Sequence, residues 1–180
     1  MTDINRDIVT PINTKRLLLR PIQLSDLEVI QKYSLDDEWN RFLDFHTLES
    51  VKEFVEKAVY TKWNEIARFT IIYNLQIVGG IGLYIDQKDK RAELGYSLAK
   101  EYWGIGIIPE ACEGVLNYGF NKLKLEKIFA HTDVRNLPSQ SVMKKINMTK
   151  EATFRKHEIS KNVRRDIVFY SILKSEWEEK

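Results

Sequence analysis

The sequence predicts one α/β domain built on a central mixed, mostly antiparallel sheet with helices on both faces. Three observations carry this expectation. Runs rich in β-branched and aromatic residues follow one another directly at 69–73, 77–85 and 92–98, so they pair locally. From residue 107 onward, apolar residues at helical spacing alternate with further strand runs, which places helices against the sheet. The chain has 180 residues, 43% of them apolar and 30% charged, enough for one core and too few for two.

The elements follow in order. Arg16 to Pro21 reads as a short strand closed by proline, and Ser25 to Glu28 has the spacing of a capping box that starts a helix running to about Ser34. Val51, Phe54, Val55, Ala58 and Val59 form one apolar helical face, with Thr47 or Ser50 as cap. A hairpin turns around Asn74, Leu75 and Gln76, and a charged turn from Asp86 to Arg91 leads into a strand over Ala92–Leu98. After Tyr102 to Ile108, a helix begins with Pro109 as its first residue and buries Cys112, Val115, Leu116 and Gly119. Lys127–Thr132 reads as a strand and Ser139–Ile146 as a short helix. Thr149–Ser160 and Arg164–Leu173 form a long closing hairpin. Residues 1–13 read as a loosely ordered extension.

Composition excludes several classes of function. The net charge of +2 is too small for wholesale nucleic-acid or membrane binding, so any anion site is local. A single cysteine, Cys112, permits neither an internal disulfide nor a thiolate zinc site, and His46, His131 and His157 lack ligand spacing, so no metal is expected. Met1 to Pro11 is polar, without the apolar stretch of a signal peptide, and no run of about 18 apolar residues occurs. A cytoplasmic location fits these features. The basic stretches Arg155-Lys156-His157 and Arg164-Arg165 lie beside Glu158 and Asp166 and read as hairpin surface.

The informative unit is the strand, the Gly104-x-Gly106 turn and the helix that follows. Glycines allow close approach to the backbone, and the first turn of a helix offers unpaired N–H groups and a positive dipole end, so a phosphate would sit well there. A tight turn that merely needs positive φ is the structural alternative. No Gly-Lys-Ser/Thr follows the loop and the three-glycine dinucleotide pattern is missing, which removes the common nucleotide readings.

At this point the chain resembles the GCN5-related N-acetyltransferases, and within them the subfamily similar to ribosomal-protein N-terminal acetyltransferases. The resemblance runs from Thr14–Pro21 through Ala92–Leu98 and Tyr102–Ala111 to Arg165–Ser171, with Asn136-x-x-Ser139-x-x-Val142-x-x-Lys145-x-Asn147-Met148 between the last two. The family's phosphate motif, R/Q-x-x-G-x-G/A, covers Trp103 to Ile108. Gly106 matches its invariant glycine, whereas Trp103 and Ile108 replace its first and last residues, so contact relies on backbone donors. Asn147 stands at a family glycine, and Met143 where many members carry an acid tyrosine.

The resemblance implies a strand that splays from its neighbour to form an acetyl-CoA cleft, and acetyl transfer to a primary amine acceptor. Ser97, Leu98, Trp103, Gly104, Ile105, Gly106, Ile107, Ile108, Asn136, Ser139 and Lys145 become candidates for binding acetyl-CoA. Glu93 is the candidate base or a solvated strand carboxylate; Ser139 is the candidate acid or a helix N-cap. Tyr170 is a second acid candidate or a core aromatic, and Asn136 orients a group in the cleft or begins a turn. Cys112 packs in its helix, because an amine attacks a thioester without an acyl-cysteine. Neutralising an α-amine at pH 7 costs about 1 kcal/mol against about 4.6 for lysine, which favours a protein or peptide N-terminus, a ribosomal protein among them. A small-molecule amine (polyamine, aminoglycoside or amino acid) and a non-catalytic acetyl-CoA-binding module remain as alternatives. A homodimer is left open.

Overall fold

The computed structural model describes residues 9–43 and 47–179, and His46 and most of the N-terminal extension lie outside them. Eight strands form one sheet in the order β1-β2-β3-β4-β5-β6-β8-β7. They are β1 (Ile12–Asn13), β2 (Leu17–Pro21), β3 (Ile66–Tyr73), β4 (Gln76–Asp86), β5 (Arg91–Leu98), β6 (Lys127–Asp133), β7 (Thr149–Ser160) and β8 (Val163–Leu173). Five α-helices accompany them: α1 (Leu27–Ser34), α2 (Leu48–Tyr60), α3 (Ile107–Asn121), α4 (Leu137–Lys145) and α5 (Lys174–Glu178). Every neighbouring pair is antiparallel except β5 and β6. The end of the expected loose extension is thus ordered, since Ile12 and Asn13 pair with Leu19 and Leu18.

Strand alternation sorts β3 between two helical layers. Phe69 and Ile71 join the main core with Val115, Leu116 and Phe120 of α3. Arg68 and Thr70, pointing the opposite way, meet Phe54 of α2 and Asp26 at the start of α1. Beyond them, Ile22 and Ile30 pack with Val51, Val55 and Ala58 of α2 in a second cluster. The β3–β4 hairpin turns through Asn74 and Leu75 at φ 48° and 63°, the two positive angles of a turn matched to strand twist.

Two expected helix starts are corrected. Ser25 and Glu28 form no capping box: Glu28 pairs with Lys32 one turn on, and Asp26 takes the role by accepting the Gln23 N–H at 3.0 Å. Helix α3 begins at Ile107, so Pro109 is its third residue; a missing N–H costs nothing there either, since the first four have no helical partner. The cap of α2 is as expected, with Thr47 and Ser50 side chains each accepting the other's N–H, at 3.1 and 3.2 Å.

Asp26 is only 1% exposed. It accepts from Arg20 at 2.5 and 2.8 Å and from the Thr70 hydroxyl at 2.7 Å, tying β2, β3 and α1 together. Burial pushes its carboxyl up, but Arg20, Thr70 and the Gln23 N–H together outweigh this and hold it below the ordinary value. Removing the carboxylate strands a guanidinium and a buried hydroxyl, so Asp26→Ala is expected to lose roughly 3 kcal/mol in urea titration at pH 7. A depressed carboxyl stabilises the fold above its unfolded value and loses that contribution as pH falls through the folded one. Wild type should therefore lose stability in the window below about pH 4 more steeply than Asp26→Ala.

Candidate active site

Strands β5 and β6 run parallel for only three residue pairs, ending at Glu93 and Phe129. Past that point Leu94–Leu98 keeps its antiparallel partner β4 but has none on the other side. Between the parted strands opens a cavity of about 940 Å³, lined on one flank by Glu93 to Leu98 and on the other by Ala130 to Asp133.

One end of the cavity is the glycine turn. Gly104 and Gly106 take φ of 80° and 82°, and Gly106 is the residue that caps α3. A side-chain carbon at Gly104 would meet nothing within 4 Å, so glycine is required there by conformation alone. At Gly106 the same carbon would stand 3.5 Å from Arg16 Nη2. Arg16 donates to the Ile105 carbonyl at 3.0 Å and pairs with Glu110 at 2.6 Å, placing a cation against the turn and neutralising a carboxylate in the first turn of α3. Burial raises the Glu110 carboxyl, but Thr14 and Arg16 outweigh it and hold the group ionised below its usual range. The turn thus offers helix N–H groups and a nearby guanidinium, a donor set that fits a pyrophosphate. Trp103 donates its indole N–H to the Leu98 carbonyl at 2.8 Å, which fastens the turn to the end of β5. Of the expected turn residues, Ile105 alone does not line the cavity; its side chain is exposed.

Helix α4 forms the far wall. Its N-cap is Asn136, whose side chain accepts the Ser139 N–H at 3.2 Å and donates to Thr132 at 3.0 Å. Ser139 is therefore not the cap expected of it. Its hydroxyl lies 2.8 Å from the Tyr96 hydroxyl, bridging the gap between the parted strand and α4. Lys145 and Met143 also line this wall, Met143 at 1% exposure. Tyr170 is corrected to a core role: it is 2% exposed, its hydroxyl reaches Gln140 at 3.3 Å, and it does not line the cavity. Cys112 is fully buried, and burial pushes its thiol up, leaving it inert.

At the fork itself sits a row that the sequence did not reveal. Glu93 Oε1 is 3.4 Å from His131 Nδ1, and His131 Nε2 is 3.1 Å from Glu158 Oε1. The imidazole stacks on Phe169 with centroids 5.0 Å apart. Burial raises the Glu93 carboxyl above its ordinary value; His131 opposes this and the charge of Glu158 adds to it. His131 and Glu158 lie 38 and 65 positions from Glu93, and only the sheet register brings them together. Arg165, expected on the hairpin surface, is instead buried on the cavity wall beside Asp133 at 3.5 Å. Among the described residues no group of His, Cys, Asp and Glu side chains is arranged to hold a metal ion.

The opposite end is closed by residues 30–43 and α2. Ile30, Ser34, Glu38, Trp39, Phe42 and Phe54 line it, with Arg68 on its floor. The tip of the closing hairpin reaches over this end, where Lys161 donates to the Asn40 carbonyl at 2.7 Å.

The pattern of the family described as Acetyltransferase (GNAT) domain matches residues 16–149. A Bacillus licheniformis protein called "Uncharacterized N-acetyltransferase p20" is 31% identical, with 91% of this chain and 96% of that protein aligned. The crystal structure of a GNAT-family acetyltransferase from Bacillus anthracis superposes with a TM-score of 0.82 at 29% identity, covering 92% of this chain and 99% of that one. RimL, titled a ribosomal L7/L12 alpha-N-protein acetyltransferase in complex with coenzyme A, shares the fold with a TM-score of 0.79 at 18% identity, over 91% and 98% of the two chains. The parted strands, the glycine-capped helix and these likenesses agree: the chain is an acetyltransferase and belongs to the GNAT family.

Proposed function

We propose that this enzyme acetylates the α-amine of a protein or peptide, with Glu93 as base and Ser139 as acid. The observation that carries this reading is the position of Glu93, a half-buried carboxylate at the fork of β5 and β6 with His131 against it. Acetyl-CoA supplies an activated acetyl thioester; its pyrophosphate fits the donors of the Gly104–Ile108 turn, and its pantetheine arm fits the free edge at Ser97 and Leu98. Asn136 and Lys145, which line the far wall, would contact the same arm or its phosphates.

The residues then divide the proton traffic. Glu93 takes the proton from the ammonium group, so that a neutral nitrogen attacks the carbonyl carbon; the new N–C bond forms as the C–S bond breaks. His131 stands between Glu93 and Glu158 and tempers, by its own field, the rise that burial and Glu158 impose on the Glu93 carboxyl. Ser139 donates a proton to the departing sulfur and regains one from the newly acylated nitrogen, which sheds its second proton in becoming an amide; Tyr96, whose hydroxyl burial pushes up and so keeps protonated, holds the Ser139 hydroxyl in place at 2.8 Å. With Met143 at the family's tyrosine position, this hydroxyl pair replaces the usual acid.

A site with one such base suits an amine that is easily neutralised, and an α-amine needs about 3.4 kcal/mol less than lysine at pH 7. A fold shared with RimL at 18% identity brings no acceptor with it, so chemistry and not likeness supports the choice. In competition at pH 7, short peptides with a free N-terminus should therefore outpace N-blocked lysine peptides, spermidine and aminoglycosides. A polyamine or aminoglycoside acetylated first would overturn the α-amine reading and leave the transferase intact.

Two substitutions test the residue roles. Gly106→Glu places a side chain at φ 82° and a carboxylate against the phosphate seat, so calorimetry on the folded variant should find acetyl-CoA binding abolished. Glu93→Gln should lower the rate by roughly 10²-fold or more at nearly unchanged acetyl-CoA affinity. Because the Glu93 carboxyl is raised, the wild-type rate should fall with decreasing pH above the ordinary glutamate range, and the variant should lack that limb.

A further inference from the structure

The floor of the acceptor end carries a cation that the proposed chemistry leaves unused. Arg68 is 6% exposed and lines the cavity, yet among the described residues no carboxylate lies within ion-pair distance of it. Among the described residues its guanidinium has a single hydrogen bond, a long one of 3.5 Å to the Gly95 carbonyl, and it lies 4.7 Å from the centre of the Phe54 ring. Two carboxylates of this cavity are already engaged by other cations, Glu38 by Lys100 and Asp133 by Arg135 and Arg165, and so do not serve Arg68. A buried guanidinium without a counter-ion is costly, and a protein retains one where something brings the anion.

The sheet is built to put this cation at the fork. Arg68, Gly82 and Gly95 are in register across β3, β4 and β5, and so share one face. The Arg68 side chain crosses β4 over a bed of glycines. A side-chain carbon would come within 3.4 Å of Nη2 at Gly80, 2.9 Å of Cδ at Gly82 and 3.7 Å of Nη1 at Gly95. A side chain at Gly82 would collide with the arginine, and at Gly80 and Gly95 an added carbon would already be in van der Waals contact with the guanidinium. Gly95 stands two residues past Glu93 on the same strand face, about 7 Å away. An anion held by Arg68 is thus a few atoms from an amine presented to Glu93.

We infer that Arg68 is the anchor of the acceptor, and that the acceptor carries a carboxylate close to its amine. The inference rests on the acetyl-transfer roles proposed above and adds a carboxylate to the α-amine acceptor, and a free amino acid as its source would replace the peptide reading. An α-carboxylate of a free amino acid and an acidic side chain at the first or second position of a peptide both supply this chemistry. The planar fork of arginine suits a carboxylate bidentately, and the same buried charge repels polycationic acceptors.

Matched pairs of acceptors test it by thiol release from acetyl-CoA. One pair is an amino acid and its amide. The other is a C-terminally amidated peptide beginning Ala-Glu and its Ala-Gln counterpart. In at least one pair the carboxylate member should have a kcat/KM roughly 10-fold or more above its amide, and the pair that shows it identifies the source. Arg68→Gln should bring that ratio close to one. Should this variant fail to fold, Arg68→Lys, which keeps charge without the fork, should show a reduced ratio. Ratios near one in both wild-type pairs, a faster reaction with spermidine, or an unchanged ratio in a folded Arg68 variant would overturn the anchor while leaving amine acetylation standing. No thiol release with any amine, at intact acetyl-CoA affinity, would overturn the transfer roles and the anchor together.

Discussion

Everything at the site depends on the three-residue limit of the β5–β6 ladder. Parallel strands ordinarily continue pairing, because each unpaired backbone group removed from water costs about 1–3 kcal/mol. Here the ladder stops at Glu93 and Phe129, and the strands are held apart by what stands between them. Tyr96 leans from β5 to Ser139 on α4, and Met143 fills the base of that helix. The groups so freed face a cavity instead of the core, where water or a ligand satisfies them. A defect in a sheet becomes a binding edge in this way, and the turn that ends β5 delivers α3 with its open N–H groups to the same place.

The electrostatics of the cleft follow from that geometry. At the turn, Arg16 offsets Glu110, so the helix start keeps its positive character. On the far wall Arg135 and Arg165 offset Asp133, whose carboxyl Arg135 above all holds below its usual range. Near the fork, charges sit in partly shielded positions with weaker partners: Glu93 and Glu158 around one histidine, and Arg68 on the other side of Gly95. Groups that must change charge or accept a charged guest are thus separated from those that merely hold the walls.

How much of this was legible in the sequence depended on the range of the interactions. The α2 cap, the β3–β4 hairpin, the long closing hairpin and the Gly104–Gly106 turn are decided by neighbours within a few residues, and the sequence pattern finds them. The α1 start departs from its local pattern because Asp26 answers to Arg20 and to Thr70, 44 residues away, so tertiary partners override a good local cap. Ser139 yielded its cap to Asn136 because Leu137 and Pro138 already sit in the first turn. Glu93 stood out as a carboxylate beside a cleft, but His131, Glu158 and Arg68 are ordinary residues until strand register sets them next to it. Tyr170 failed as an acid for the same reason, since β8 turns it into the core.

The glycine bed under Arg68 has a consequence for how related chains can vary. At Gly82 an added carbon would stand 2.6 Å from the Ala67 carbonyl as well as against Arg68, so the backbone forbids a side chain there whatever residue occupies position 68. At Gly80 and Gly95 the contacts are at ordinary van der Waals distance, and the guanidinium is what a larger side chain would meet first at Gly80. Position 80 should therefore covary with position 68, staying small where it is arginine and enlarging where it is short, whereas position 82 should remain glycine in both lineages.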